Sequence, residues 1–362
     1  VFTRRVPGRL HDQVPHIERR DDKDLWVVDG KVVSRIFSKA GVPFNEWSEL
    51  RDEGRYDSIR PGAFDPIERL KDYDLDGVDV SILFPNPVVG FAGDPLYSVK
   101  DPEARLACIQ AYNDWLVEDF CSADPKRLIP LCVLPSWDVG LAVAETRRCV
   151  NKGHRGIVFA GAMDVFGGTP TWDPYWDPLW ATVQDLEVPV CLHQISAALD
   201  RPSAKEAPPP GQSGIIAARV VWHICTLVPV LPEILFSGML DRYPRLKVFL
   251  AEGGVGWIPF VLSQSDYVWE RNRYWAEPKL QMPPSEYWRR QCAAGFWSEP
   301  ITPHTVEFLG PDSILWEGDY PHTILTWPDS QHHIEKSLNQ ITDVTVREKI
   351  LSGNAVRIFG LT

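Results

Sequence analysis

Three apolar, strand-like runs each end in a residue that can bind a metal or move a proton. VPVCLHQ (188–194) carries His193, LKVFLAEGG (246–254) carries Glu252, and SILWEGD (313–319) closes on Asp319, with a Tyr-Pro step and His322 directly behind it. A carboxylate or imidazole drawn out of water must be paired, hydrogen-bonded or bound to an ion, because a bare buried charge is too costly to keep. His193, Glu252, Asp319 and His322 together make a nitrogen-and-oxygen donor set for a divalent cation. Asp319 and His322 are also groups that can shuttle a proton, and Pro321 holds Tyr320 extended so that both can face one volume. Taken singly, each has an ordinary alternative, a hydrogen-bonded core histidine for His193 and a helix-capping carboxylate for Glu252 or Asp319. What points to a metal centre is their arrival from three separate strand ends.

The remaining histidines carry less chemistry. His332 and His333 fall on a polar helix, His11 and His16 in a charged N-terminal arm, His304 at a helix start, and His154 at the entry to a strand, opposite the exits. His223 is the exception: VVWHICTLV sets it in an apolar helix, where it orients a ligand, donates to substrate as a catalytic group, or is a satisfied core residue. Of the fifteen tryptophans, Trp257, Trp297 and Trp327 fall in loops after strand ends. With Asn86 they are expected to line a substrate pocket, although rings of that size equally fill contacts between helices and sheet. The Pro-rich stretch 196–214 is too long and polar for a plain connector, and reads as a lid or as a contact between subunits.

The elements that must position these groups follow a rhythm. Seven strand-length runs, 77–84, 127–135, 156–161, 188–194, 246–254, 290–296 and 313–319, alternate with helical spacing over 101–121, 138–152, 174–187, 214–242, 256–276, 299–309, 329–340 and 343–352. Alternation predicts parallel βαβ units, and near-continuous apolar runs predict strands covered on both faces. The chain has neither a GxGxxG nor a GxxxxGK[ST] turn, and its polar residues sit at many strand ends, which favours an α/β (β/α)8 TIM barrel over an open doubly wound sheet. A barrel needs one more strand, expected upstream of Val1. LWVVDGKVV (25–33) reads as a small two-stranded surface ribbon around its Asp-Gly turn.

A chain of 362 residues, 44% hydrophobic, is expected to form one domain over 1–362. Its net charge of −12 excludes a nucleic-acid or anionic-membrane surface, which would need clustered Lys and Arg. Val220 to Phe236 reads as a buried helix and its loop, since it contains His223, Pro229, Pro232 and Glu233. The seven cysteines lie mostly in apolar runs without CxxC spacing, as expected of reduced thiols in the cytoplasm.

VPVCLH, the run DRYPRLKVFLAEGGVGWIPF (241–260), WEGDYPH and the C-terminal GNAVRIFGL occur in the order found in the amidohydrolase superfamily. The chain resembles its amidohydrolase-related branch, of the aminocarboxymuconate-semialdehyde decarboxylase type. The resemblance implies a (β/α)8 barrel with His193 and Asp319 as metal ligands, and a first-strand H-x-H or H-x-x-E motif that this sequence does not contain. That branch carries a histidine where this chain has Glu252. The AEGGVGW version is similar to the branch's dinuclear oxygenases, which implies a carboxylate-rich centre holding one or two ions of iron or manganese, with zinc the alternative. The leading expectation is therefore a nonheme dinuclear (Fe/Fe or Mn/Fe) monooxygenase using dioxygen on a small or apolar substrate. The alternatives are a metal-dependent hydrolase or non-oxidative decarboxylase of an organic acid, and an inactive subunit of a hetero-oligomer. An oligomer, homomeric or heteromeric, is expected in any of these cases.

Overall fold

A computed structural model describes residues 1–36, 40–42, 54–85, 89–90, 96–97, 99–194, 214–322 and 326–361. Asn86 and nearly all of the stretch 196–214 lie outside the described residues. The chain divides into two compact units. The first comprises Val1–Pro135, Ala144–Ile157 and Gly318–Glu335, and the second Ser136–Val143, Val158–Glu317 and Lys336–Thr362.

The ribbon has one strand more than its sequence suggests. β1 (His16–Arg20), β2 (Lys23–Val28) and β3 (Lys31–Arg35) form an antiparallel sheet in that order. Asp21 and Asp22 turn the chain between β1 and β2 with φ of 48° and 60°, and Asp29-Gly30 turns it between β2 and β3. The first strand, HIERR, is charged and shows no apolar alternation, so only its pairing with β2 identifies it.

The strands that carry the candidate site are parallel. β4 (Ser81–Leu83) pairs with β5 (Leu128–Pro130), while β6 (Cys132–Val133), β7 (Ile157–Phe159), β8 (Pro189–His193), β9 (Lys247–Ala251), β10 (Cys292–Phe296) and β11 (Ile314–Trp316) form a six-stranded sheet in the order β11-β10-β9-β8-β7-β6. The expected run 127–135 thus splits at Leu131 into two short strands in different sheets. Burial explains why these runs read as continuous apolar stretches: every residue of β8 and β10 is buried, as are four of the five in β9. The helical reading over 214–242 breaks into Gly214–Ile224, Val230–Phe236 and Met239–Arg242, with a tight turn at Cys225–Leu227 before Pro229. Within it Ala217–Phe236 is apolar and long enough by composition to cross a bilayer, yet that turn, two prolines and Glu233 interrupt it. Contrary to the expectation of a buried helix, only 33% of its most apolar 18-residue window is buried, and Val221 stands exposed. All seven cysteines are free thiols, six of them buried.

In the first unit, His154 is enclosed, with Nδ1 3.1 Å from the carbonyl oxygen of Cys149. Burial lowers its pKa to about 4. Its folded-state value lies below the unfolded one, so the stability held above about pH 6.5 declines as pH falls towards 4. A loss of about 3 kcal/mol across that window, measured by urea titration at pH 7 and pH 4, is expected in the wild type. His154→Gln should remove that part of the pH dependence.

Candidate metal centre

In the second unit, the parallel register of β8 and β9 sets His193 beside Ala251, and Gln194 N extends the ladder to Ala251 O at 3.1 Å. The next residue along β9 is Glu252, which therefore lies within reach of the end of β8. Its Oε2 stands 2.9 Å from His193 Nε2 and accepts a hydrogen bond from Gln194 Nε2 at 3.0 Å. The two side chains are 1% and 11% exposed. A carboxylate enclosed to this degree favours a cation, and the N/O pair fits a divalent first-row ion.

The backbone at Glu252 is unusual. Its φ is +57°, in the left-handed region that non-glycine residues seldom occupy. Five other described non-glycine residues share that feature, but Asp21, Asp22 and Asp29 serve ribbon turns and Glu187 follows a helix. Asp319, with φ +55°, is the other one that follows a strand of the parallel sheet. Left-handed backbone of this kind is sustained only where the surroundings impose it, and it concentrates at functional sites. Sequence reading anticipated both residues but not this conformation.

Part of what holds Glu252 is Glu317, whose Oε2 accepts its backbone N–H at 2.9 Å. Sequence reading gave Glu317 no role. Its carboxylate lies over Gly295 in β10, where a Cβ would stand 2.0 Å from Glu317 Cδ. The only sequence signal was the glycine in the otherwise ordinary strand CAAGF.

The second unit also contains three further anticipated residues, Trp257, Trp297 and His223. Trp257 is half-buried and donates its indole N–H to Gly253 O at 2.7 Å, while Trp297 follows β10 half-buried. His223, near the end of the helix Gly214–Ile224, stacks on Trp222 with ring centroids 5.7 Å apart, and burial lowers its pKa.

In the first unit, Asp319 and His322 form a compact turn. His322 N donates to Asp319 O at 2.8 Å and His322 Nδ1 lies 2.7 Å from Asp319 Oδ1. Asp319 is enclosed, its side chain 3% exposed, whereas that of His322 is 36% exposed. An enclosed acid hydrogen-bonded to a partly wet imidazole can exchange protons with solvent. The turn is tied down next door by Tyr320, whose hydroxyl donates to Asp72 Oδ2, and Asp72 is held bidentately by Arg60. Trp327 is buried in the same cluster: its indole N–H donates to Asp72 O at 3.0 Å and Arg60 lies 4.3 Å over its ring. Gly62 leaves the space, since a Cβ there would stand 2.0 Å from Asp72 Oδ2. Gly62→Ala is therefore expected to cost about 1–3 kcal/mol of stability through overpacking, read from the shift in urea midpoint.

The amidohydrolase family model matches residues 59–361. The chain is 26% identical over 314 residues to 2-amino-3-carboxymuconate-6-semialdehyde decarboxylase of Dictyostelium discoideum, covering 84% of this chain and 79% of that protein. It is 26% identical over 331 residues to gamma-resorcylate decarboxylase of Rhizobium radiobacter, covering 88% and 92%. Among solved structures, an amidohydrolase from Mycobacterium avium subsp. paratuberculosis superposes with a TM-score of 0.72 at 18% identity, over 100% of this chain and 94% of that one. A dihydroxybenzoic acid decarboxylase from Polaromonas sp., with bound manganese, gives 0.61 at 23% identity, over 88% and 91%. The fold is thus α/β, of the (β/α)8 barrel class. The expected dinuclear monooxygenase is overturned, because these curated relatives are decarboxylases. The chain belongs to the amidohydrolase family.

Proposed function

We infer that this chain is a divalent-metal-dependent, non-oxidative decarboxylase of a small conjugated carboxylic acid. The observation that carries the reading is its similarity, over most of both chains, to decarboxylases of gamma-resorcylate and of 2-amino-3-carboxymuconate-6-semialdehyde. The buried His193–Glu252 pair supports it, as an N/O donor set suited to such an ion. His193 and Glu252 are the proposed ligands, and Asp319 and His322 are assigned to proton transfer. Manganese is the ion to try first, since the Polaromonas decarboxylase holds it. A bound divalent ion polarises substrate oxygens and so favours charge build-up in the conjugated system.

The residues themselves supply proton transfer. Asp319 in its acid form gives a proton to the carbon that bears the carboxylate. The bond from that carbon to the carboxylate then breaks, its electron pair returns to the conjugated system, and carbon dioxide leaves. His322, hydrogen-bonded to Asp319 and partly exposed, restores the proton from solvent. The free buried thiols suit a reducing compartment, and we assign the chain to the cytoplasm.

The test is anaerobic incubation of the manganese-loaded chain with gamma-resorcylate and related hydroxybenzoates, following carbon dioxide release. Turnover of at least one acid without oxygen is expected. Release that requires dioxygen, or none with any acid in the panel, would overturn the proposal.

A further inference from the structure

We propose that Glu317 and Glu299 are positioning residues that clamp the backbone of the loop 252–256 and thereby set the direction in which Glu252 presents its carboxylate. The proposal rests on Glu252 being a metal ligand. Three observations within the second unit carry it. First, the two carboxylates follow neighbouring strands, β10 and β11, and both accept backbone N–H groups from the one loop after β9. Glu317 takes the N–H of Glu252 at 2.9 Å, while Glu299 takes that of Val255 through Oε1 and that of Gly256 through Oε2 at 3.0 Å. Second, glycines make room for both acids. A Cβ at Gly295 would stand 2.0 Å from Glu317 Cδ, one at Gly254 3.0 Å from Glu299 Oε1, and one at Gly256 2.8 Å from Glu299 Oε2. Third, the clamped segment contains the left-handed Glu252, a conformation that non-glycine residues seldom occupy.

The geometry separates the two contributions. Glu317 acts on the N–H of Glu252 itself and so governs the left-handed turn. Glu299 uses both oxygens on successive N–H groups where the chain enters the helix Ile258–Asn272, which fixes the far end of the loop. Carboxylates accepting backbone N–H groups make strong, directional bonds, and a ligand oriented in this way loses metal affinity when its support is removed.

The experiment titrates manganese(II) into the metal-free full-length chain, following the electron paramagnetic resonance signal of the free ion, with kcat and KM measured in parallel. Glu317→Ala should raise the manganese Kd by about 10- to 100-fold. Glu317→Gln, which still offers an oxygen to the Glu252 N–H, should recover most of that loss. Glu299→Gln can accept only one of its two N–H groups, and should raise Kd by about 10-fold with a smaller change in KM. Thermal melts check folding, and if Glu317→Ala does not fold the two glutamine variants decide the matter. Glu252→Gln is the reference. If it weakens manganese binding while Glu299→Gln and the Glu317 variants stay within about twofold of wild type, the clamp is refuted and the ligand assignment stands. Failure of Glu317→Gln to restore affinity relative to Glu317→Ala also refutes it. If Glu252→Gln leaves manganese binding unchanged, the ligand assignment itself is wrong.

Discussion

Glu252→Gln is expected to leave the chain folded and unable to hold its ion. The substitution keeps the size and the hydrogen-bonding reach of the side chain but removes its charge. The neighbouring His193 Nε2, 2.9 Å away, is then paired with an amide in place of a carboxylate. Replacing an anionic oxygen ligand by a neutral one should weaken metal affinity by at least about 100-fold, more than loss of an outer supporting group does. Activity should fall in proportion to the metal lost. The melting temperature of the metal-free protein should move little, because Glu252 lies beyond the last residue of β9 and the buried side chains of β8, β9 and β10 are untouched. Elemental analysis of purified protein, together with a melt in the presence of chelator, separates these effects. A variant that retains a full metal complement would remove Glu252 from the ligand set, and one that fails to fold would make it a structural residue. His193→Ala should behave in the same way, with an added packing cost because that side chain is almost wholly enclosed.

Asp319→Asn should lower kcat by about 10²- to 10⁴-fold, the usual contribution of a positioned acid. Asparagine occupies the same volume and keeps an oxygen within reach of His322, so the turn closed by the 2.8 Å backbone bond should persist. What disappears is the carboxylic proton. KM and manganese affinity should consequently change much less than kcat, and that split distinguishes a lost proton donor from a lost ligand. His322→Ala should be milder, about 10-fold or more in kcat, because water can reach the acid in its place, and exogenous imidazole should restore part of the rate. An Asp319→Asn variant within tenfold of wild-type kcat would contradict the assignment of the acid.

Much of this arrangement was legible in the sequence because its signals are local. An apolar run that ends in His, Glu or Asp states both the strand and the group it delivers, and β8, β9 and β11 lie where those runs fall. The unreadable parts depend on partners distant in the chain. Asp72 and Tyr320 are separated by 248 positions, and nothing in either segment announces their hydrogen bond. The charged strand His16–Arg20 is identified only by its pairing. The break at Leu131 falls inside a run whose hydrophobicity is unchanged across it, so a pattern of residue types cannot reveal that the chain passes from one sheet to another. The role of Glu317 was hidden for a related reason: it depends on the absence of a side chain in the adjacent strand. Register between strands is a property of pairing, and periodicity carries it weakly.

The contact between Gly295 and Glu317 ties the histories of two codons together. A methyl group at residue 295 would occupy the volume now filled by the carboxylate of residue 317. A descendant of this protein can therefore acquire alanine at 295 only alongside a shorter or redirected residue at 317, and would then need another way to hold Glu252. In a deep mutational scan alanine at 295 should be much less harmful once 317 is shortened, whereas the loss caused by shortening 317 should persist whatever stands at 295.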